Sequence, residues 1–166
     1  MKLLERSFLC CMMFSRCVSL LAMNNSENIH PTINIVTKDS VAVTSKVDDL
    51  EATIRITEPK FWGEVETTCR IRGRGNATWK DYPKKPYKIK LDVKMSLFGF
   101  PENRDWVLLA EYCDKSLLRT AYMCEVSKAI GIDYTVNYQH VSLIINGEYQ
   151  GVYVLTDQVE KGKNRV

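Results

Sequence analysis

Metal-ligand chemistry is scarce in this sequence. It has two histidines, His30 and His140, and its six cysteines never fall in a CxxC pair. A structural zinc site needs four clustered nitrogen or sulfur ligands, so that class is excluded. Cys10, Cys11 and Cys17 crowd the first 20 residues, while Cys69, Cys113 and Cys124 are scattered with no paired spacing. Three body cysteines leave one over, so a disulfide framework is not supported and they read as small buried hydrophobes. No apolar run approaches the ~20 residues of a spanning helix. Internal repeats and low-complexity tracts are missing too. An excess of one charge is also lacking: 23 basic residues against 20 acidic give +3, too little to imply a nucleic-acid or membrane partner.

What remains is a chain of 166 residues with 45% hydrophobic and 26% charged residues. That is a globular balance and not a disordered one, and the length allows one domain or slightly more. The charge is unevenly placed. Residues 70–94 hold nine basic and two acidic side chains, a net +7, which leaves −4 on the other 141 residues. Such a segment serves an anion, a partner or the fold itself. A nucleic-acid or polysaccharide binder is one reading of it, and that reading predicts affinity that falls steeply with salt.

Residues 1–23 form a leader. Lys2 and Arg6 precede the apolar stretch FLCCMMF, Arg16 interrupts it, and SLLA follows. This resembles a degraded export signal. Residues 24–31 are a polar linker, and folded structure is expected from about Thr32. Alternating β-branched and polar residues predict strands at 33–37, 50–57 and 66–72, with a short one at 41–43. Together residues 32–69 make a β-rich leader segment, and residues 70–166 the main unit. Within it, period two predicts a strand at 87–91, with Tyr87, Ile89 and Leu91 on one face and Lys88 and Lys90 on the other. Residues 105–110 (DWVLLA) read as a central strand buried on both sides. Asn146-Gly147 between two apolar runs predicts a hairpin. One main helix is expected, capped by Asp114 or Ser116 and stopped by Gly131. Leu118, Ala121, Tyr122, Glu125 and Ala129 would share a face of it.

Three features bear on chemistry. Arg72-Gly73-Arg74-Gly75-Asn76 could bring backbone N–H groups and guanidinium charge to a phosphate. The same residues also suit a tight turn leaving a strand, and Asn76-Ala77-Thr78 fits a glycosylation sequon. The Lys88/Lys90 face is either solvated or turned to a phosphate. Glu125 on an apolar helix face needs a partner if it is buried. Glycine turn, strand lysine and helix glutamate follow one another in the order of a protein-kinase nucleotide clamp.

Four blocks, RGRGNATW, YPKKPYKIKL, FPENRDWVLLAEYCDKSLLR and VSLIINGEYQGVYVLTDQVEKGKNRV, run in order from about residue 71 to 166. They closely resemble the CotH family, spore-coat-protein-H-like proteins regarded as atypical, secreted or coat-associated protein kinases. The resemblance implies an α+β fold: an antiparallel β-rich leader, then a kinase-like N-lobe of antiparallel sheet plus one main helix, truncated before the catalytic lobe. It implies ATP with Mg2+ or another divalent metal, and phosphoryl transfer to Ser/Thr of a coat or envelope protein. The expected location is secreted, in the cell envelope or in the spore coat. Carried over by residue, Gly73, Arg74, Gly75 and Asn76 would cover the phosphates. Lys90, or else Lys88, would be the nucleotide lysine, and Glu125 its helix partner. No metal ligand is assigned, because the family's acidic residues for metal and hydroxyl lie past the segment matching KNRV. Alone, the chain is therefore expected to bind nucleotide weakly without transferring phosphate, and to self-associate through a bare lobe interface. Neither a nucleic-acid partner nor a stable membrane span is expected. The alternative is a structural or surface-adhesion module of a coat or envelope with a vestigial nucleotide site.

Overall fold

Strand patterning dominates the architecture. The computed structural model describes residues 31–58 and 63–159, and the expected leader at 1–23 lies outside them. The strands are β1 (Thr32–Thr37), β2 (Leu50–Glu58), β3 (Gly63–Gly73), β4 (Tyr87–Met95), β5 (Asn103–Leu109), β6 (Tyr138–Ile145) and β7 (Glu148–Asp157). Among the described residues two α-helices interrupt them, α1 (Ala77–Lys80) and α2 (Arg119–Ala129), besides a short 3-10 turn at Lys38–Ser40. The expected strand at 41–43 does not form. That stretch is a loop whose Val41 carbonyl accepts a hydrogen bond from the Thr37 hydroxyl at 2.7 Å.

The expected α+β kinase-like N-lobe is not what the chain builds. The strands close into a barrel in the order β1-β2-β3-β4-β5-β7-β6, with β6 returning to β1. All neighbours are antiparallel except β1 and β6, which run parallel with Ile33 opposite Leu143. The physical reason is that the apolar face of each strand turns inward and meets its counterparts across the lumen. Ile33, Ile35, Ile54, Ile56, Ile71, Ile89, Leu91, Trp106, Leu108, Val141, Leu143, Tyr153 and Leu155 are all essentially buried there. A barrel of this size is filled by its own side chains and needs no helix to complete the core. Helix α2 is left outside as a consequence.

Asn146-Gly147 makes the expected hairpin turn, with φ of 51° and 82°, the doubly left-handed pairing that matches strand twist. Asn146 also pins the parallel seam. Its side-chain oxygen accepts the Thr37 backbone N–H at 2.9 Å, and its own N–H donates to the Ile35 carbonyl at 2.9 Å. Trp106, Val107 and Leu108 are consecutively buried, so β5 is covered on both sides as its sequence suggests. Helix α2 lies against the outside of this wall. The Leu117 carbonyl oxygen is 2.7 Å from His140 Nε2, and Lys128 sits over the Tyr138 ring. No helix among the described residues is long and apolar enough to cross a membrane.

Candidate anion site beside the glycine turn

The glycine turn is first of all a packing device. An ideal Cβ on Gly73 would lie 2.5 Å and 2.7 Å from Cζ3 and Cζ2 of Trp79. The Trp79 indole therefore rests on the bare backbone, against the core and edge-on to Tyr87. The Gly73 N–H donates to the Ser45 carbonyl at 2.8 Å and the Arg74 N–H to the Pro86 carbonyl at 3.1 Å. Those two donors serve the fold. Gly75 sits at φ 87° with Thr78 Oγ1 crowding the position of a Cβ, which only glycine tolerates. The Asn76 carbonyl starts α1 by accepting the N–H groups of Trp79 and Lys80. The Asn76 side chain itself is exposed.

Much of the basic segment is likewise structural. Arg72 pairs with Asp49 at 3.4 Å and donates to the Lys46 carbonyl. Lys85 donates to the Trp79 carbonyl at 2.6 Å, and Tyr153 donates to the Lys85 carbonyl at 2.9 Å. Lys88 and Lys90 point out of the barrel wall, as their period predicts. Lys88 forms a 3.0 Å ion pair with Asp105, and both side chains are only about a fifth exposed. Lys90 stands half-buried between Arg70 and Asp105 in the register.

Glu125 is not on a buried face. Ala121 and Cys124 are the α2 residues that turn to the barrel, while Leu118, Tyr122, Glu125 and Ala129 are exposed. Lys128, one turn on, donates to Glu125 at 3.0 Å and holds its carboxyl below the ordinary value. Among the described residues Glu125 pairs with Lys128 and Lys88 with Asp105, not with each other. Neither expected residue is the N-cap, which is Leu118 with no side-chain cap hydrogen bond, but both hold the turn that leads into the helix. Asp114 accepts the Arg119 N–H at 2.9 Å and the Ser116 hydroxyl at 2.6 Å, and Ser116 Oγ accepts the Leu118 N–H. Gly131 ends the helix at φ 76°.

Between the glycine turn, the Pro-Lys-Lys-Pro strap and the start of α2 lies a cleft of about 350 Å³. Arg74, Lys84, Glu111, Arg119 and Thr120 bring polar groups to it, and Pro86, Leu109 and Ala110 give it an apolar floor. Burial lowers the pKa of the Arg74 guanidinium, which has no ion pair or side-chain hydrogen bond among the described residues. Lys84 donates to the Val152 carbonyl at 2.5 Å and lies 4.4 Å above the Tyr153 ring. Burial lowers its pKa, with the Glu111 carboxylate pushing the other way. Thr120 donates to one Glu111 oxygen, and the other is buried without a partner. A lysine and a carboxylate thus do face one cleft beside the glycine turn, but they are Lys84 and Glu111. Sequence reading passed over both. Lys84 was legible as a cation locked between two prolines, and Glu111 as a carboxylate closing an apolar central strand.

A family model described as CotH kinase protein matches residues 70–166. The chain belongs to the CotH family. The matched span supplies the cleft's polar groups and strands β4 to β7, while β1 and β2 precede it. No curated protein matches this CotH chain.

Proposed function

We propose that this CotH chain carries the polyphosphate-binding cleft of an ATP-dependent kinase that phosphorylates Ser/Thr of coat or envelope proteins. One observation supports the reading above the others. Arg74 is a guanidinium drawn partly out of water with no carboxylate beside it, and a cation so placed favours an anionic ligand. Lys84 adds a second desolvated charge, and the family description adds the word kinase. The cleft volume lies at the small end of ligand sites and suits a polyphosphate better than a whole nucleotide. Bound ATP supplies the transferable phosphoryl group. Arg74 holds its phosphate oxygens, and Lys84, anchored on the Val152 carbonyl over the Tyr153 ring, adds its charge to the same cleft. The divalent metal fits less well. Among the described residues no three of His, Cys, Asp and Glu gather as a metal site, so no step is assigned to a protein-held metal.

Titration calorimetry of the chain with ATP tests this. Arg74→Ala and Lys84→Met should each weaken binding about tenfold or more, the loss typical of a charge-assisted phosphate contact. Lys94→Ala, on the exposed part of β4, should leave it unchanged. No detectable ATP binding, or loss on Lys90→Ala with Lys84→Met unaffected, would overturn the assignment.

A further inference from the structure

On the outer wall of the barrel, β3 and β4 set two pairs of cations side by side, Arg72 opposite Lys88 and Arg70 opposite Lys90. Like charges directly opposite on one sheet face, with Cβ atoms about 5 Å apart, destabilise it. The first pair is compensated, Arg72 by Asp49 at 3.4 Å and Lys88 by Asp105 at 3.0 Å. The second is not. Among the described residues neither Arg70 nor Lys90 makes an ion pair, a side-chain hydrogen bond or a ring contact. The acids nearest them in register are committed elsewhere. Glu51, opposite Arg70, holds Lys38 at 3.3 Å, and Asp105, opposite Lys90, holds Lys88. Both cations are half-buried, so water screens their repulsion only in part. Arg70 also lines an open groove of about 620 Å³ with Thr37, Thr53 and Thr68. Glu51 and Asp92 reach the same groove, but the Thr68 hydroxyl donates to Asp92 at 2.5 Å, and the Arg104 guanidinium donates to the Leu91 and Asp92 carbonyls. With Lys38, Arg70, Lys90 and Arg104 set against Glu51 and Asp92, this part of the wall keeps two positive charges.

We propose that Arg70 and Lys90 bind a phosphate monoester carried by a protein, the side chain of a phosphoserine or phosphothreonine, whose peptide lies in this groove. A carboxylate neutralises one of the two charges, whereas a phosphate monoester, at about −1.5 to −2 near neutral pH, neutralises both. The guanidinium offers its planar fork to two phosphate oxygens, and the ammonium adds a point charge to the third. The flanking carboxylates of Glu51, Asp92 and Asp105 confine the attraction to one phosphate and oppose a longer polyanion such as a nucleic acid. Arg70 lies four residues up the chain from Arg74, about 13 Å along a strand, so this is a second anion site and not the rim of the cleft. It stands if the reading of the cleft as an ATP site fails.

Fluorescence anisotropy tests this, with the whole chain titrated at low salt into a dye-labelled glycine–alanine peptide that carries one central phosphoserine. That peptide should bind about tenfold or more tightly than the same peptide with serine or with glutamate, and inorganic phosphate should displace it. Arg70→Ala and Lys90→Ala should each weaken binding about fivefold or more with an unchanged circular-dichroism spectrum, and Arg74→Ala should leave it within about twofold. Equal binding of the phosphoserine and serine peptides overturns the proposal. Equal binding of the glutamate peptide overturns the choice of a phosphate and assigns the wall to an acidic segment. Tighter binding of an oligothymidylate overturns the choice of a protein partner. Loss on Arg74→Ala with Arg70→Ala unaffected overturns the site, because it puts the phosphate in the cleft.

Discussion

Replacing Gly73 by alanine adds one methyl group in a place where Trp79 leaves no room. The new Cβ would stand 2.5–2.7 Å from two indole carbons, more than an ångström inside ordinary carbon contact. Backbone cannot yield at the end of a paired strand, so the indole must swing out. Roughly 100 Å² of ring surface then returns to water, worth about 2.5 kcal/mol at ~25 cal/mol per Å². Alanine recovers about 0.5–1 kcal/mol through its smaller conformational entropy loss. The net destabilisation is therefore about 2 kcal/mol, or a drop of about 4–8 °C in melting temperature for a chain of this size. Urea unfolding followed by tryptophan fluorescence measures it. The decisive comparison is a double-mutant cycle with Trp79→Ala. With the indole removed, Gly73→Ala should be neutral or stabilising by about 0.5 kcal/mol, which gives a coupling of about 2 kcal/mol. If Gly73→Ala costs the same in both backgrounds, or nothing in either, the indole is not the reason for the glycine.

Two further outcomes follow from the outer wall and the start of α2. Asp105→Asn should destabilise by on the order of 1 kcal/mol in thermal melts, because it removes the negative charge 3.0 Å from the largely buried Lys88 ammonium, whereas Lys90→Ala should stay within about 0.5 kcal/mol. The Ser116 hydroxyl and the Arg119 N–H hold the Asp114 carboxyl below its ordinary 3.8. A depressed carboxyl contributes stability above its unfolded pKa and loses it as pH falls through the folded value. Asp114→Asn should accordingly lower the melting temperature at pH 7, with the gap to wild type closing as pH falls below the ordinary carboxyl value of 3.8; a constant gap would refute the linkage.

Much of the strand inventory was legible because a half-buried strand writes its period into the sequence. Residues 33–37, 50–57 and 87–91 show it plainly, and 105–110 shows by its unbroken apolarity that both of its sides are covered. Closure was not legible. The pairing of Ile33 with Leu143 is non-local, and nothing near either residue signals it. The helix was found, with its terminating glycine, but its N-cap is Leu118 and not Asp114 or Ser116, and the wrong stripe was taken as inward. Two apolar stripes run along α2, and spacing alone cannot say which one the barrel covers. That ambiguity placed Glu125 in a buried pair, where the structure gives it Lys128 and solvent. The cleft was only partly visible. Arg74 belonged to a recognisable glycine turn, but Lys84 sits in a strap with no strand period and Glu111 just past the end of one, so periodicity said nothing about either.

The parallel seam has a consequence for how the molecule comes to be made. Thr37 and Asn146, which lock it, are 109 residues apart in sequence. Bringing ends that distant together costs about 4 kcal/mol in chain entropy before any contact forms, so the last gap in the wall should be the slow event of folding. During synthesis the first strand emerges long before its parallel neighbour. Until β6 leaves the ribosome, β1 has β2 on one side and an open row of amides and carbonyls on the other, the type of edge that recruits foreign strands. The nascent chain is therefore most vulnerable to aggregation in that interval, and the asparagine at the hairpin ends it.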